Sequence, residues 1–156
     1  MTFTKTKMMT MLSMLVLFFS FCVLFSSSAN GQGPQTAYQV LQDYNLPTGL
    51  LPQTVIGHSL NRTDGQFLVN INGGCHIYAA GFQVKYDPTM TAVISKDRLS
   101  YIHGVKVKLL FWTRIMSVAR FDDEIELRGR FWARWYKVND FISSAECNKL
   151  IRGKLD

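Results

Sequence analysis

Between Val105 and Phe111 the chain alternates strictly. Val105, Val107, Leu109 and Phe111 are apolar, and Lys106 and Lys108 stand between them. A period of two places one set of side chains on a buried face and the other in water, which no helix can do. A strand with one wet side belongs to an antiparallel sheet. The same period recurs along the chain. Residues 54–60, 66–72, 75–86, 91–95 and 115–120 read as strands, and Phe67, Val69 and Ile71 share one face. Turn residues separate them at 61–65, at Gly73-Gly74, at Asp87-Pro88 and at Asp122-Asp123. Gly81 suggests a bulge or bend, and the slip in the pattern at 112–114 a bulge or sharp bend. Residues 96–104 read as a charged connection. Residues 124–138 read as one long strand, with Ile125, Leu127, Phe131 and Trp135 against Glu126, Arg128, Arg130 and Arg134. Thr36 can cap a short helix over 37–44, and a second short helix is expected over 144–151. The expected fold is mainly β: a single antiparallel β-barrel-like domain with short N- and C-terminal helices.

The first thirty residues follow other rules. Lys5 and Lys7 precede an uncharged stretch over 8–25, and Ser27 and Ala29 occupy the −3 and −1 positions of a cut before Asn30. A positive start, an apolar middle and a small-residue cleavage site are the layout of a secretory signal peptide. The rival is an uncleaved anchor, since the stretch approaches the roughly 18–20 residues that span a bilayer. Thr10, Ser13 and Ser20 dilute it, so cleavage is the expectation. The chain then divides into a signal peptide (1–29), a flexible leader (30–36) and the β domain (37–156). Cleavage also removes two lysines from a formal net charge of +6, leaving a mildly basic domain. Such a charge suits anionic lipid head groups or acidic polysaccharides without requiring either.

Cys22 leaves with the signal, so Cys75 and Cys147 remain as a pair in an oxidising compartment. A disulfide between them would close a loop of about 73 residues and stabilise the fold by roughly 4 kcal/mol. The alternative is two buried free thiols. Asn61-Arg62-Thr63 is an N-glycosylation sequon in a polar turn.

The chemical motifs are sparse. Gly57-His58-Ser59-Leu60-Asn61 approaches the nucleophile elbow but has Asn61 in place of the last glycine, and no helix is expected to follow. Ser59 with a distant His76 or His103 is the one catalytic arrangement to consider, because triads are defined by geometry. Cys75 and His76 are strand neighbours that point to opposite faces, so they make no dyad. His58, His76 and His103 lack metal-ligand spacing, and neither a metal site nor a cofactor is expected. Nucleic acid is a poor partner for a secreted chain. The strongest feature is basic and aromatic: Arg128, Arg130, Trp132, Arg134 and Tyr136 on the even-numbered face of the last long strand, extended by Lys106 and Lys108. Guanidinium groups pair with carboxylates and phosphates, and aromatic rings stack on sugars or enter a membrane interface. The alternative is a solvated face whose arginines pair with Glu126, Asp122 or Asp123, each pair contributing little.

Several strings occur together in order. They are Leu46-Pro47-x-Gly49-Leu50-Leu51-Pro52, Asp64-Gly65-x-Phe67-x-Val69 and Cys75, then Val84-x-Tyr86, Ile94-Ser95 and Leu99-Ser100, then Gly104-Val105-Lys106-Val107-Lys108 with Phe111-Trp112. Over residues 38–147 this series resembles the plant proteins grouped as domain of unknown function family 538. The resemblance implies a compact β-barrel-like fold and a plant source, often with a secretory signal. It brings suggestions of lipid or amphiphile binding, of esterase action on chlorophyll, and of roles in stress or development. The chain departs from the family pattern at Arg128–Val138, where relatives carry small residues and a Phe-Pro-Val turn. The leading expectation is a secreted, apoplastic, non-enzymatic module holding an amphiphilic or acidic ligand, with only peripheral membrane contact. The alternatives are a weak hydrolase of lipophilic esters and a cell-wall interaction protein.

Overall fold

Thr36 opens the first element. Its hydroxyl accepts from the Gln39 N–H, and the Gln39 side chain accepts in return from the Thr36 N–H at 2.7 Å. This reciprocal cap satisfies two donors that a helix start leaves unpaired, and it begins helix α1 (Ala37–Asp43). The helix buries Ala37, Val40 and Leu41. The computed structural model describes residues 34–147. The expected signal peptide (1–29) lies outside the described residues, and so do residues 30–33 of the expected leader.

After α1, Leu46-Pro47 leads into a single 3-10 turn (Thr48–Leu50). Nine strands follow: β1 (Val55–Leu60), β2 (Gln66–Ile71), β3 (Cys75–Ala79), β4 (Phe82–Ser95), β5 (Arg98–Lys108), β6 (Trp112–Arg114), β7 (Ser117–Phe121), β8 (Glu124–Arg128) and β9 (Ala133–Lys137). Every pairing is antiparallel, in the order β1-β2-β4-β5-β7-β8-β9. β3 lies beside β4, and β6 lies beside β5. The two long strands are the axis of the sheet: β4 carries β2 and β3 along one edge, and β5 carries β6 and β7 along the other.

The sheet curls until the Phe82 ring on β4 stands 5.1 Å from the Tyr136 ring on β9. Among the described residues no ladder joins β1 to β9, so the sheet is mainly antiparallel and open, a barrel only approximately. The concave side is filled. Phe67, Val69, Leu99, Val107 and Ile125 are all but inaccessible, and each such side chain contributes roughly 1.5–3 kcal/mol by leaving water. A cavity of about 30 Å³ remains between Leu50, Met90, Val105, Leu127 and Phe141, near the size of one water molecule. Tyr86 is wholly buried against this core. Its hydroxyl donates to the Leu50 carbonyl at 2.9 Å, and burial pushes its pKa well above the phenolic range.

The Leu46–Pro52 string, which reads as a turn, is where the two ends of the domain lace together. The Thr48 hydroxyl donates to the Ile142 carbonyl and the Ser144 hydroxyl donates to the Thr48 carbonyl. The Gln53 N–H reaches the Ala145 carbonyl, and Cys147 is joined to Cys75 by a disulfide. Gly49 is required by contact: a Cβ there would lie 2.3 Å from the Phe141 carbonyl oxygen.

Several local expectations give way. Gly81 marks a bend rather than a bulge, because Ala80-Gly81, both at positive φ, turn the chain back into a β3–β4 hairpin. Asp87-Pro88 does not end a strand. β4 runs through them, and its register to β5 shifts between Tyr86 and Thr91, where exposed Pro88 costs no ladder bond. Residues 98–104 belong to β5, since Lys96-Asp97 alone make the reversal. The slip at 112–114 follows a sharp bend, the β5–β6 hairpin, and not a bulge. The long strand over 124–138 is the β8–β9 hairpin. Of the expected C-terminal helix, residues 144–147 are not helical and the rest lies outside the described residues. A 3-10 turn (Val138–Phe141) precedes them.

Candidate functional site

Four strands bring four basic side chains into one line. His76 on β3 is the register partner of Lys85 on β4, Lys85 of Lys106 on β5, and Lys106 of Arg114 on β6. Residues directly opposite share a face, and strands stand about 4.8 Å apart, so the row is roughly 14 Å long. The next row on that face is Tyr78, Gln83, Lys108 and Trp112. This is the wet side of the sheet: the intervening Ile77, Val84 and Val107 point into the core.

The row is electrostatically unusual. Like charges directly opposite each other destabilise a sheet. Yet among the described residues Lys85, Lys106, Lys108 and Arg114 form no ion pair, because the pairs there involve only Arg128 and Lys137. His76 stands at one end, with its ring 5.8 Å from the Trp112 ring although two strands separate their backbones. The indole therefore lies across the face. Desolvation, then the Lys85 ammonium, hold the His76 imidazole below the usual histidine range.

The structure separates the basic and aromatic residues expected on the even-numbered face of the last long strand. Lys106 lies in the cationic row and Lys108 in the one beside it. Arg128, Arg130, Trp132 and Arg134 do not make one strand face, because the chain reverses through residues 129–132, where the Gly129 N–H donates to the Trp132 carbonyl. Arg128 opposes Ala133 and Arg134 opposes Leu127, so these two arginines point to opposite sides. Arg128 is committed to Glu126 at 2.6 Å, the one buried charged residue among those described. Arg130 stacks over the exposed Phe131 ring at 5.2 Å. Trp132 folds over Gly129, where a Cβ would meet the indole at 2.0 Å, and its N–H donates to the Thr113 hydroxyl at 3.2 Å.

The catalytic arrangement is not assembled. Ser59, Leu68, Thr91 and His103 are successive register partners across β1, β2, β4 and β5. Ser59 and His103 are therefore about 14 Å apart by strand spacing, far beyond the roughly 3 Å that proton transfer needs. His76 lies beyond the β2–β3 turn. Ser59 sits within a strand with no helix after it. Cys75 is consumed by its disulfide, and His76 points away from it. Asn61 is exposed in the β1–β2 turn, where its side-chain oxygen accepts from the Thr63 N–H at 3.0 Å. Among the described residues no three His, Cys, Asp or Glu converge as metal ligands, and no helix is long and apolar enough to cross a membrane.

Lys85, Arg114 and Tyr78 escaped sequence reading. Each alternates correctly within its own strand, but only the register between strands shows that they line up with Lys106 and Lys108.

Comparison with known proteins places the sequence in a family. The model described as "Protein of unknown function, DUF538" matches residues 37–142. An uncharacterized protein of Arabidopsis thaliana is 24% identical over 82 residues, covering 52% of this chain and 48% of the relative. The chain thus spans about half the length of that curated relative. No solved structure matches the chain.

Proposed function

The chain belongs to the DUF538 family, and from that premise we propose that it is a secreted, non-enzymatic module that binds an acidic ligand on the outer face of β3–β6. An acidic polysaccharide is the ligand class that suits this face best. The observation that carries the reading is the cross-strand row His76-Lys85-Lys106-Arg114, whose lysines and arginine have no carboxylate partner among the described residues. A sheet that keeps like charges opposed without neutralising them is poised for a polyanion to do so. Lysine and arginine supply the charge, and Tyr78 and Trp112 supply rings on which a sugar can stack. The signal-like N-terminus and the Cys75–Cys147 disulfide favour an extracellular setting. The small interior cavity argues against an amphiphile carried inside the sheet, and the separation of Ser59 from His103 argues against ester hydrolysis.

The test is co-sedimentation or affinity electrophoresis with polygalacturonate across a salt series. Binding is expected to weaken steeply with salt, as a multi-cation contact must, and to be lost in Lys85→Glu/Lys106→Glu while Arg128→Gln retains it. Binding unaffected by the double substitution overturns the assignment to this face.

A further inference from the structure

Among the apolar residues left in water, four fall in the segments that join β5 to β7 and β8 to β9. Leu110 is 94% exposed and Phe111 73% at the tip between β5 and β6, and Phe131 is 89% exposed at the tip between β8 and β9. The two tips belong to one end of the molecule. The Trp132 N–H donates to the Thr113 hydroxyl, so the residue after Phe131 is pinned two positions from Phe111. Met116, 47% exposed, ties the same two segments together, its N–H bonded to the Arg128 carbonyl at the end of β8. Hydrophobic side chains at a hairpin tip contribute nothing to the core, and four gathered at one end form a patch of the kind that marks a contact site.

The charges around the patch identify its occupant. Lys108 and Arg114 flank the first tip, and Arg130 and Arg134 flank the second, all four exposed. No aspartate or glutamate occurs over residues 106–121 or 127–139. Arg130 lies over the Phe131 ring, which holds a cation directly beside the most exposed aromatic group. A protein partner would be expected to meet such a tip with a shaped pocket, but the geometry needed here is simpler. Apolar side chains enter the acyl boundary while a collar of lysine and arginine stays level with the phosphates. We propose that this end docks peripherally on an anionic lipid bilayer, with Leu110, Phe111, Met116 and Phe131 as the inserting residues and Lys108, Arg114, Arg130 and Arg134 as the headgroup contacts. The site goes beyond the polysaccharide reading and stands on a different observation, the exposed tips.

The experiment uses the full chain with phosphatidylcholine vesicles, with and without phosphatidylserine. In a Phe131→Trp variant the added indole reports on the tip once the emission of the wild-type chain, with its three tryptophans, is subtracted. The expected result is a blue shift of that emission, and quenching by brominated acyl chains, only when phosphatidylserine is present. Phe111→Ser/Phe131→Ser should lower the anionic-vesicle partitioning assigned to the tips by about tenfold or more, and Arg130→Glu should remove the dependence on phosphatidylserine. Polygalacturonate binding should survive the double serine change, which separates this proposal from the previous one. An unshifted tip indole on vesicle-bound protein overturns the proposal. So does a shift that appears without lipid as concentration rises, since a second copy would then be the occupant.

Discussion

Residue by residue, the candidate face is governed by what each cation has for a neighbour. Arg128 has Glu126 at 2.6 Å, so its charge is spent locally and its removal would leave a buried carboxylate exposed to desolvation. Lys106 has Lys85 on one side and Arg114 on the other, so its charge is available. His76 lies at the end of that row, with Lys85 opposite it on β4 and the Trp112 ring against it from β6. Desolvation and the Lys85 charge both favour its neutral form. An anion on the face would favour the imidazolium instead and raise its pKa. Protonation and anion binding are therefore linked: affinity should increase as pH falls from neutrality through and below the ordinary histidine range. Dextran sulfate is the useful probe, since its sulfates stay ionised throughout. Its affinity measured between neutral and mildly acid pH should rise in the wild-type chain and stay flat in His76→Gln. Equal pH dependence in the two proteins would remove His76 from the site.

Among the elements, the decisive contact is between the 3-10 turn (Thr48–Leu50) and the segment after β9. Thr48, Gln53 and Ser144 exchange hydrogen bonds across it, and Gly49 leaves no room for a side chain against the Phe141 carbonyl. Since the obstacle is backbone rather than the end of a flexible side chain, it cannot move aside cheaply. Gly49→Ala should destabilise the domain by about 2 kcal/mol, seen as a lower denaturant midpoint with an unchanged slope. The β8–β9 hairpin explains why the arginine stripe was misplaced. Arg128, Arg130, Trp132 and Arg134 keep the period of a strand, but the four residues 129–132 reverse the chain, so the alternation in sequence no longer maps to a face. The signal for that turn was Gly129, flanked by large residues on both sides. By contrast, the alternation of Lys106 and Lys108 was read correctly because no reversal interrupts it.

For the molecule as a whole, the Cys75–Cys147 bridge ties β3 to the C-terminal segment that hydrogen-bonds with Thr48 and Gln53. In the chain-entropy account the loop it closes contributes roughly 4 kcal/mol. Cys75→Ser/Cys147→Ser, or reduction of the wild-type chain, should lower unfolding free energy by about that amount in a chemical denaturation series. A change near zero would mean that the hydrogen bonds of Thr48, Gln53 and Ser144 already hold the segment. Sequence alone determined the class of fold, the capped helix at Thr36, the family and the wet position of Lys106 and Lys108, and it left the two cysteines as either a disulfide or free thiols. All of these follow from local periodicity, local hydrogen bonding or residue identity. Only the tertiary structure decided that the sheet stays open, that its interior is filled, that four cations from four strands stand in one row, and that two distant hairpin tips meet at one end. Those depend on register and curl, which are set by long-range packing between segments that carry no mark of one another in the chain.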